Sequence, residues 1–286
     1  MSAYVIQFPH PGGEHVPKLN DMPWNVAPHK RKFMVAPGEY RDSGGESGSG
    51  EIAFWGEWEG PSRVIRRWER RPRFPTVLHR PFMGDPPSEG FRQNTDPWVF
   101  GDRFHYSNCK QLTNRGRTIT AMQRITPGSL ILFGSSVNNE FVLDTAFVVG
   151  RVQGTYTVRE HDHLQVSEEF RMATIESMAS PDEAQIDLQL TLYDGATPDE
   201  PFEGMFSFTP CVSYEGEASR FPRPTIELPG LINPKSRQSV NGVSRPLPTK
   251  EVRSAWDRVV QQVESQDLLL GTRLQLTRED QDAAHV

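Results

Sequence analysis

Residues 93–111, QNTDPWVFGDRFHYSNCKQ, concentrate side chains able to do chemistry. Asn94, Asp96, Asn108 and Gln111 carry the donors and acceptors that read the edge of a nucleobase. Trp98, His105 and Tyr106 offer faces on which a base stacks, and Arg103 and Lys110 suit a phosphate. The same stretch could serve catalysis, with His105 as acid or base, Asp102 as its orienting carboxylate and Cys109 as nucleophile. A plainer reading stands beside both. Phe100, Phe104 and Tyr106 alternate as core residues of a strand, and Asp102, His105 and Asn108 satisfy turn backbone.

A second group is defined by charge. Between Pro61 and Arg80 there are seven arginines against one acid, Glu69. From Glu160 to Glu203 there are twelve acids against one base, Arg171. Arg66, Arg67 and Arg70, with Trp68 and Phe74 interleaved, have the composition that holds a nucleic-acid backbone by charge and stacking. Docking of an acidic partner protein and neutralisation by the chain's own acidic stretch are the alternatives.

Other constellations are thinner. The run Glu160-His161-Asp162-His163 puts two imidazoles on one side of an extended chain, but no third ligand is spaced nearby, so a polar turn is expected and no metal site. His10, Glu14 and His15 sit in a Gly/Pro turn and join a site only if the N-terminal segment folds back. No GxGxxG or Walker A string supports dinucleotide or ATP use in those folds. Neither the HxE…CxxC deaminase pattern nor the GxSxG elbow is present. No cofactor can be named from the sequence.

These residues need elements to position them. Residues 1–50 are rich in Pro, Gly and His and read as an extended arm, with 43–50, SGGESGSG, as a flexible loop. In 51–60 Ile52, Phe54 and Trp58 are spaced for one face, while Trp55 and Glu57 point the other way. Prolines confine any helix in the Arg-rich piece to 62–71. The runs 128–135 and 140–152 are short, apolar and β-branched, as buried strands are, so Leu130, Leu132, Phe141, Leu143, Phe147 and Val149 are expected in the core. Strands are also expected at 155–159, 186–193 and 204–212. Thr249 is placed to cap a helix on which Val252, Trp256, Val259, Val260 and Val263 fall at helical spacing. Residues 216–248 read as a Pro-rich connector, and the tail should fray. The organisation is an arm over 1–50, a main β-rich domain over 51–215, and a connector with one helix over 216–286. The fold class is α+β: a β-rich domain with a curved mixed sheet or small barrel, in which strands 52–58, 128–134 and 140–152 share one sheet.

Composition bounds the rest. A chain of 286 residues with 16 Phe and 6 Trp can bury a sizeable core. The two cysteines make no disulfide scaffold, which suggests a reducing, cytoplasmic setting. No apolar run is long enough for a membrane span, and the first eight residues lack the pattern of a signal peptide.

The strings FWGEWEGPS, QNTDPWVFGDRFHYSNCKQ, PGSLILFGS…FVLDTAFVV and YDGATPDEPFEGMFSFTPC together resemble prokaryotic nucleotide-modification-associated (Nmad-type) domains, over roughly residues 1–215. Such domains occur near DNA-modification and phage-defence genes, so the resemblance implies that context and carries no mechanism. A strand opening with Pro-Gly-Ser before LILFGS is also similar to PUA-like barrels of the ASCH and EVE kind, in which a sheet and its loops hold a nucleobase. The sequence reading is therefore a nucleic-acid or nucleotide binding protein, with recognition of a modified base as one form of that role. An enzyme acting on a nucleotide or nucleobase, and a subunit docking an acidic protein, are the alternatives. The expected binding set is Trp55, Arg66, Arg67 and Arg70 with Asn94, Asp96, Trp98, Asp102, Arg103, His105, Tyr106, Asn108, Lys110 and Gln111.

Overall fold

The computed structural model describes residues 2–87, 92–113, 118–178 and 188–278. The first residues of the strand expected at 186–193, three acids of the acidic stretch (Asp182, Glu183 and Asp187) and the tail from Glu279 lie outside them.

Two sheets pack against each other. In the smaller, β1 (Val5–Pro9) runs parallel to β6 (Leu130–Val137), which pairs antiparallel with β7 (Glu140–Tyr156). β7 then pairs with β8 (Leu190–Gly195), and the two-residue strand His105–Tyr106 closes that edge. The larger sheet contains β2 (Lys32–Arg41), β3 (Ser47–Gly56), β4 (Ser62–Arg67), β5 (Val77–Met83), β9 (Thr209–Ser213) and β10 (Leu269–Leu274). Its order is β10-β9-β3-β2-β5-β4, and β10 also pairs with β2. Strands β2, β3, β9 and β10 thus close a four-stranded barrel, which removes their free edges. The β-rich fold, the mixed sheets and a long helix near the C-terminus, α1 (Thr249–Glu264), are as the sequence implies.

The six core residues expected on 128–152 are fully buried. β6 and β7 bury both faces, which is why they read as continuous apolar runs. Around β3 the alternation also holds. Ile52, Phe54 and Trp58 join one apolar cluster, and Trp55 joins the other.

Several expectations change. The 43–50 loop is a short turn followed by the start of β3. There the Tyr40 ring lies over Gly48, 2.5 Å from where a Cβ would sit, so any larger residue would displace the ring. The segment 62–71 is no helix. Val64 and Ile65 lie in β4, which is held antiparallel to β5. The strand at 47–56 belongs to the larger sheet and not to that of β6 and β7. β7 runs on to Tyr156 with two register shifts, so Thr155 and Tyr156 end it and do not begin a new strand. Residues 1–50 supply β1 and β2, and only the stretch between them is mostly irregular. Pro248, not Thr249, holds the N-cap position of α1, whose Val252, Trp256, Val259 and Val263 are buried. No helix among the described residues is long and apolar enough to cross a membrane.

Candidate functional site

Residues 10, 29, 31, 57, 59, 144 and 223 are far apart in sequence and meet between the two sheets. His10 follows the end of β1, and its backbone N–H is fastened to the Gly134 carbonyl of β6 at 2.7 Å. His29 and Arg31 precede β2, and Glu57 and Glu59 follow β3. The period of two after β3 sends Trp58 into the core and both glutamates to the other side. Asp144 sits at the register shift between Leu143 and Thr145 in β7. A bulge there re-aims a side chain.

The result is a buried ion network. Arg31, 1% exposed, donates from Nη1 to Glu57 Oε2 at 2.6 Å, and its Nε lies 3.9 Å from Asp144 Oδ2. Arg223 Nη1 lies 3.5 Å from Asp144 Oδ1 and donates to Ser135 Oγ at 2.9 Å. Its guanidinium covers the Trp55 ring, 5.2 Å from the centroid. His29 Nδ1 lies 2.9 Å from Glu59 Oε1 and 3.3 Å from Glu57 Oε1. Burial works against charge on Glu57, but the charges of Arg31 and His29 hold it well below the usual carboxylate range. Burial likewise opposes charge on His29, and the two glutamates outweigh it, raising the imidazole to about 10. His10 goes the other way: burial, then the Arg31 charge, push it well below the ordinary imidazole value. Neither ring nitrogen of His10 has a hydrogen bond, although Nδ1 lies 3.4 Å from Glu57 Oε2. Both Asp144 oxygens and Arg31 Nη2 are also buried without a hydrogen bond. Unsatisfied polar groups of this kind cost stability and mark functional sites.

The network lies between two cavities, and Gly12 lines both. The larger, about 870 Å³, has His10, His29, Arg31 and Glu57 on its floor, with Cys109, Lys110 and the loop from Arg237 to Val240 around it. The smaller, about 330 Å³, is walled by Arg70, Arg71, Arg73, Phe74 and Arg223, with Trp55 and Glu14. The N-terminal segment folds back as the site requires. His10 faces one cavity and Glu14 the other, where Glu14 also accepts from the backbone of Thr76 and Val77.

Most of the 93–111 stretch does other work. Asp96 is fully buried and accepts from the backbone N–H groups of Ser107, Asn108 and Cys109. Asn94 donates to Asn108 Oδ1 at 2.9 Å. Gln111 bonds the backbone of Thr191 at both ends of its amide. Trp98 and Tyr106 are core residues, with Tyr106 stacked on Tyr193. The proposed catalytic trio is not assembled. His105 pairs with Asp194 at 3.0 Å, while Asp102 is exposed. Burial and the Asp96 charge push the Cys109 thiol well up, so it is not activated. Arg103 reaches Glu200 at 2.8 Å. Lys110 lines the large cavity but spends its ammonium on the carbonyls of Pro9 and Gln238.

The basic segment is divided too. Arg67 holds the N-terminal segment through the carbonyls of Pro17 and Leu19. Arg66 lies on β4, and neither it nor Arg67 lines the arginine cleft. Arg63, Arg73 and Arg80 pair with Asp21, Glu140 and Glu51, none of which belongs to the acidic 160–203 stretch. His161 and His163 bond the carbonyls of Val158 and Thr155, as a polar turn does. Among the described residues, the one group with metal-ligand geometry is His29, Glu57 and Glu59. Sequence reasoning missed Glu59, Arg31, Asp144 and Arg223. The available signal was the Glu-x-Glu that continues the β3 alternation.

Comparison of the chain with protein-family models, curated proteins and solved structures gives no match.

Proposed function

We propose that the protein binds a nucleotide or a nucleic-acid segment, with phosphate in the arginine cleft and the base in the larger cavity. The observation that carries this reading is that a cleft walled by four arginines and a roomy cavity with charged groups on its floor share Gly12 in their walls. Arg70 and Arg71 are exposed at the cleft, where the Arg71 guanidinium lies over the Phe74 ring, 3.9 Å from its centroid, and Trp55 is buried beneath Arg223. Guanidinium groups beside aromatic faces are the combination that holds a phosphodiester backbone and its bases. The larger cavity, about 870 Å³, falls in the size range of small-molecule sites. Its floor offers donors from Arg31 and acceptors from Glu57, and His10 Nδ1 and Nε2 stand without hydrogen bonds.

A second reading, an enzyme acting on such a ligand, is favoured by one observation. His10, a neutral imidazole with no hydrogen bond, is poised beside a charged carboxylate on the cavity floor. The nucleic-acid context implied by the resemblance to Nmad-type domains is consistent with either.

The test is fluorescence anisotropy with labelled single-stranded and duplex oligonucleotides, and competition by mononucleotides, across a salt series. Binding should weaken as salt rises. Replacing Arg70 and Arg71 together by Gln should weaken it for all sequences and flatten the salt slope by about 0.7–0.9 for each phosphate no longer neutralised. Absence of binding to every probe at low salt, or an unchanged slope in the variant, would remove the reading.

A further inference from the structure

We infer that His29, Glu57 and Glu59 form a binding site for a divalent first-row transition cation, with zinc and manganese as the candidate ions, on the floor of the larger cavity. The inference does not depend on the nucleotide reading, and its test uses metal alone.

Three donor atoms converge there. His29 Nδ1 lies 2.9 Å from Glu59 Oε1 and 3.3 Å from Glu57 Oε1, and one donor atom from each residue falls within 4.8 Å of the others. Ligands about 2.0–2.2 Å from a tetrahedral ion stand about 3.3–3.6 Å apart, so these edges are close to what an ion requires. A proton does not satisfy the same three atoms. The Nδ1–H bonds Glu59, and Glu57 Oε1 is left without a hydrogen bond in a side chain only 2% exposed. A cation in place of that proton serves both carboxylates and the imidazole.

The outer oxygens are already anchored. Glu57 Oε2 accepts from Arg31 at 2.6 Å, and Glu59 Oε2 accepts from Asn25 Nδ2. Asn25 is itself fixed, because its Oδ1 accepts from the Ala27 N–H at 2.9 Å. Each carboxylate therefore holds one oxygen inward and is clamped through the other, which is how outer hydrogen bonds orient metal ligands. An independent observation points the same way. His10 is 94% buried by its 6% exposure, neither of its nitrogens has a hydrogen bond, and it lies against Glu57. It is an unused imidazole next to the outer oxygen of Glu57, 3.4 Å from Oε2. His29 and Glu57 line the cavity, so the ion would keep a side open to water or a ligand. One nitrogen and two carboxylate oxygens suit zinc, manganese or iron better than calcium, which takes six to eight oxygens. Arg31 beside Glu57 reduces the pull on a cation, so the affinity is expected in the micromolar range, as distinct from the nanomolar.

The test uses the full chain stripped with EDTA and titrated calorimetrically with zinc and manganese, alongside visible spectra with cobalt. One equivalent should bind. Cobalt should give d–d bands without the near-ultraviolet charge-transfer band of a Cys109 thiolate. His29→Ala should abolish the bands, and His163→Ala should leave them. Asn25→Ala keeps all three ligands and should weaken binding about 10–100-fold. Circular dichroism checks that each variant folds. If a variant does not fold, the wild-type cobalt spectrum decides alone. A spectrum identical to that of aqueous cobalt, a thiolate band, or His29→Ala binding like wild type would each overturn the site.

Discussion

Two regions compete for attention as a site, and they are built in opposite ways. Residues 93–111 pack chemistry densely along the chain, yet Asp96 and Asn94 spend their polar atoms within the stretch, and Gln111 and His105 spend theirs on Thr191 and Asp194 of the adjacent β8. The buried network, four of whose residues floor the larger cavity, draws single residues from the ends of β1 and β3, the start of β2 and the bulge in β7. There polar atoms remain unspent: both nitrogens of His10, one oxygen of Glu57 and both of Asp144. Density in sequence measures how much hydrogen bonding a turn needs. Convergence in space with partners missing is the better mark of a place where a ligand completes the set.

The sharpest way to break this comparison is to remove an ion from the floor. Glu57→Ala leaves Arg31 buried with its nearest anion gone, and breaking a buried pair in this way costs about 3–5 kcal/mol. Urea denaturation of the two proteins measures the loss. A change under about 1 kcal/mol would mean that water already compensates Arg31, and the floor would be an ordinary wet cleft.

His79 sharpens the contrast with His10, because it is a buried histidine whose nitrogens are both satisfied. A carbonyl can only accept, so Nε2 carries the proton that it gives to His15 O at 3.2 Å. Nδ1 then accepts from Ser62 Oγ at 3.3 Å. Both contacts are satisfied by the neutral ring, so burial is not offset by any need for charge. Burial, then the charge of Lys32, lowers its pKa from 6.5 to about 3. The unfolded chain therefore binds more protons than the folded one between these values. The His79 contribution to stability is full above about pH 6.5 and is lost as the pH drops through the window, by up to about 1.4 kcal/mol per unit. His15, lowered to about 4 by burial and then by Lys32 and Lys30, adds to the fall in the same direction. His79→Gln should flatten the pH dependence of the denaturation midpoint. An unchanged slope would show that His79 stays neutral in both states or gains a proton without penalty.

Within the 93–111 stretch the fastening role makes a smaller demand. Asp96→Ala leaves three backbone N–H groups without their acceptor, and the cost should be about 1–3 kcal/mol for the buried Ser107 N–H, with less from the part-buried Asn108 and Cys109 N–H groups that water can reach. Local loosening should appear as faster amide exchange at Ser107, Asn108 and Cys109. Slow exchange at all three would show that the turn is held by its backbone alone.

The legible parts of the fold are those with local causes. The run 140–152 is apolar on both faces, and the helix at 249–264 repeats at 3.6 residues, so each announces its own type. β1 gives no such signal. It is five residues ending in proline, and its parallel partner lies 125 residues away, between Val5 and Leu130. Closure of the barrel by β10 against β2 is equally remote, joining Leu270 to Arg41. The site inherits this difficulty. His10 and Glu14 stand out in the sequence as residues waiting for the N-terminal segment to fold back, and Glu57 as one pointing away from the core. What no local pattern carries is that Arg31 and Asp144 come within 3.9 Å.

The smallest effect decides between the two regions most directly. Asn108 accepts from Asn94 Nδ2 at 2.9 Å, and its own amide reaches Ser107 Oγ at a weak 3.4 Å. Its side chain is half-buried and lines neither of the two adjoining cavities. Asn108→Ala therefore removes one good hydrogen bond near solvent, for about 0.5–1.5 kcal/mol of stability. If the residue only fastens the turn, the midpoint of thermal unfolding drops by a few degrees at most, since about 1 kcal/mol shifts a chain of this size by roughly 2–4 °C. Affinity for the oligonucleotide probes should then stay within about twofold of wild type, well under the tenfold that 1.4 kcal/mol represents. The Arg70 and Arg71 double replacement should show the reverse, with binding weakened and melting little changed. If Asn108→Ala melts like wild type and loses the probe, the amide is reading a ligand. The dense stretch, and not the cavity floor, is then where recognition happens.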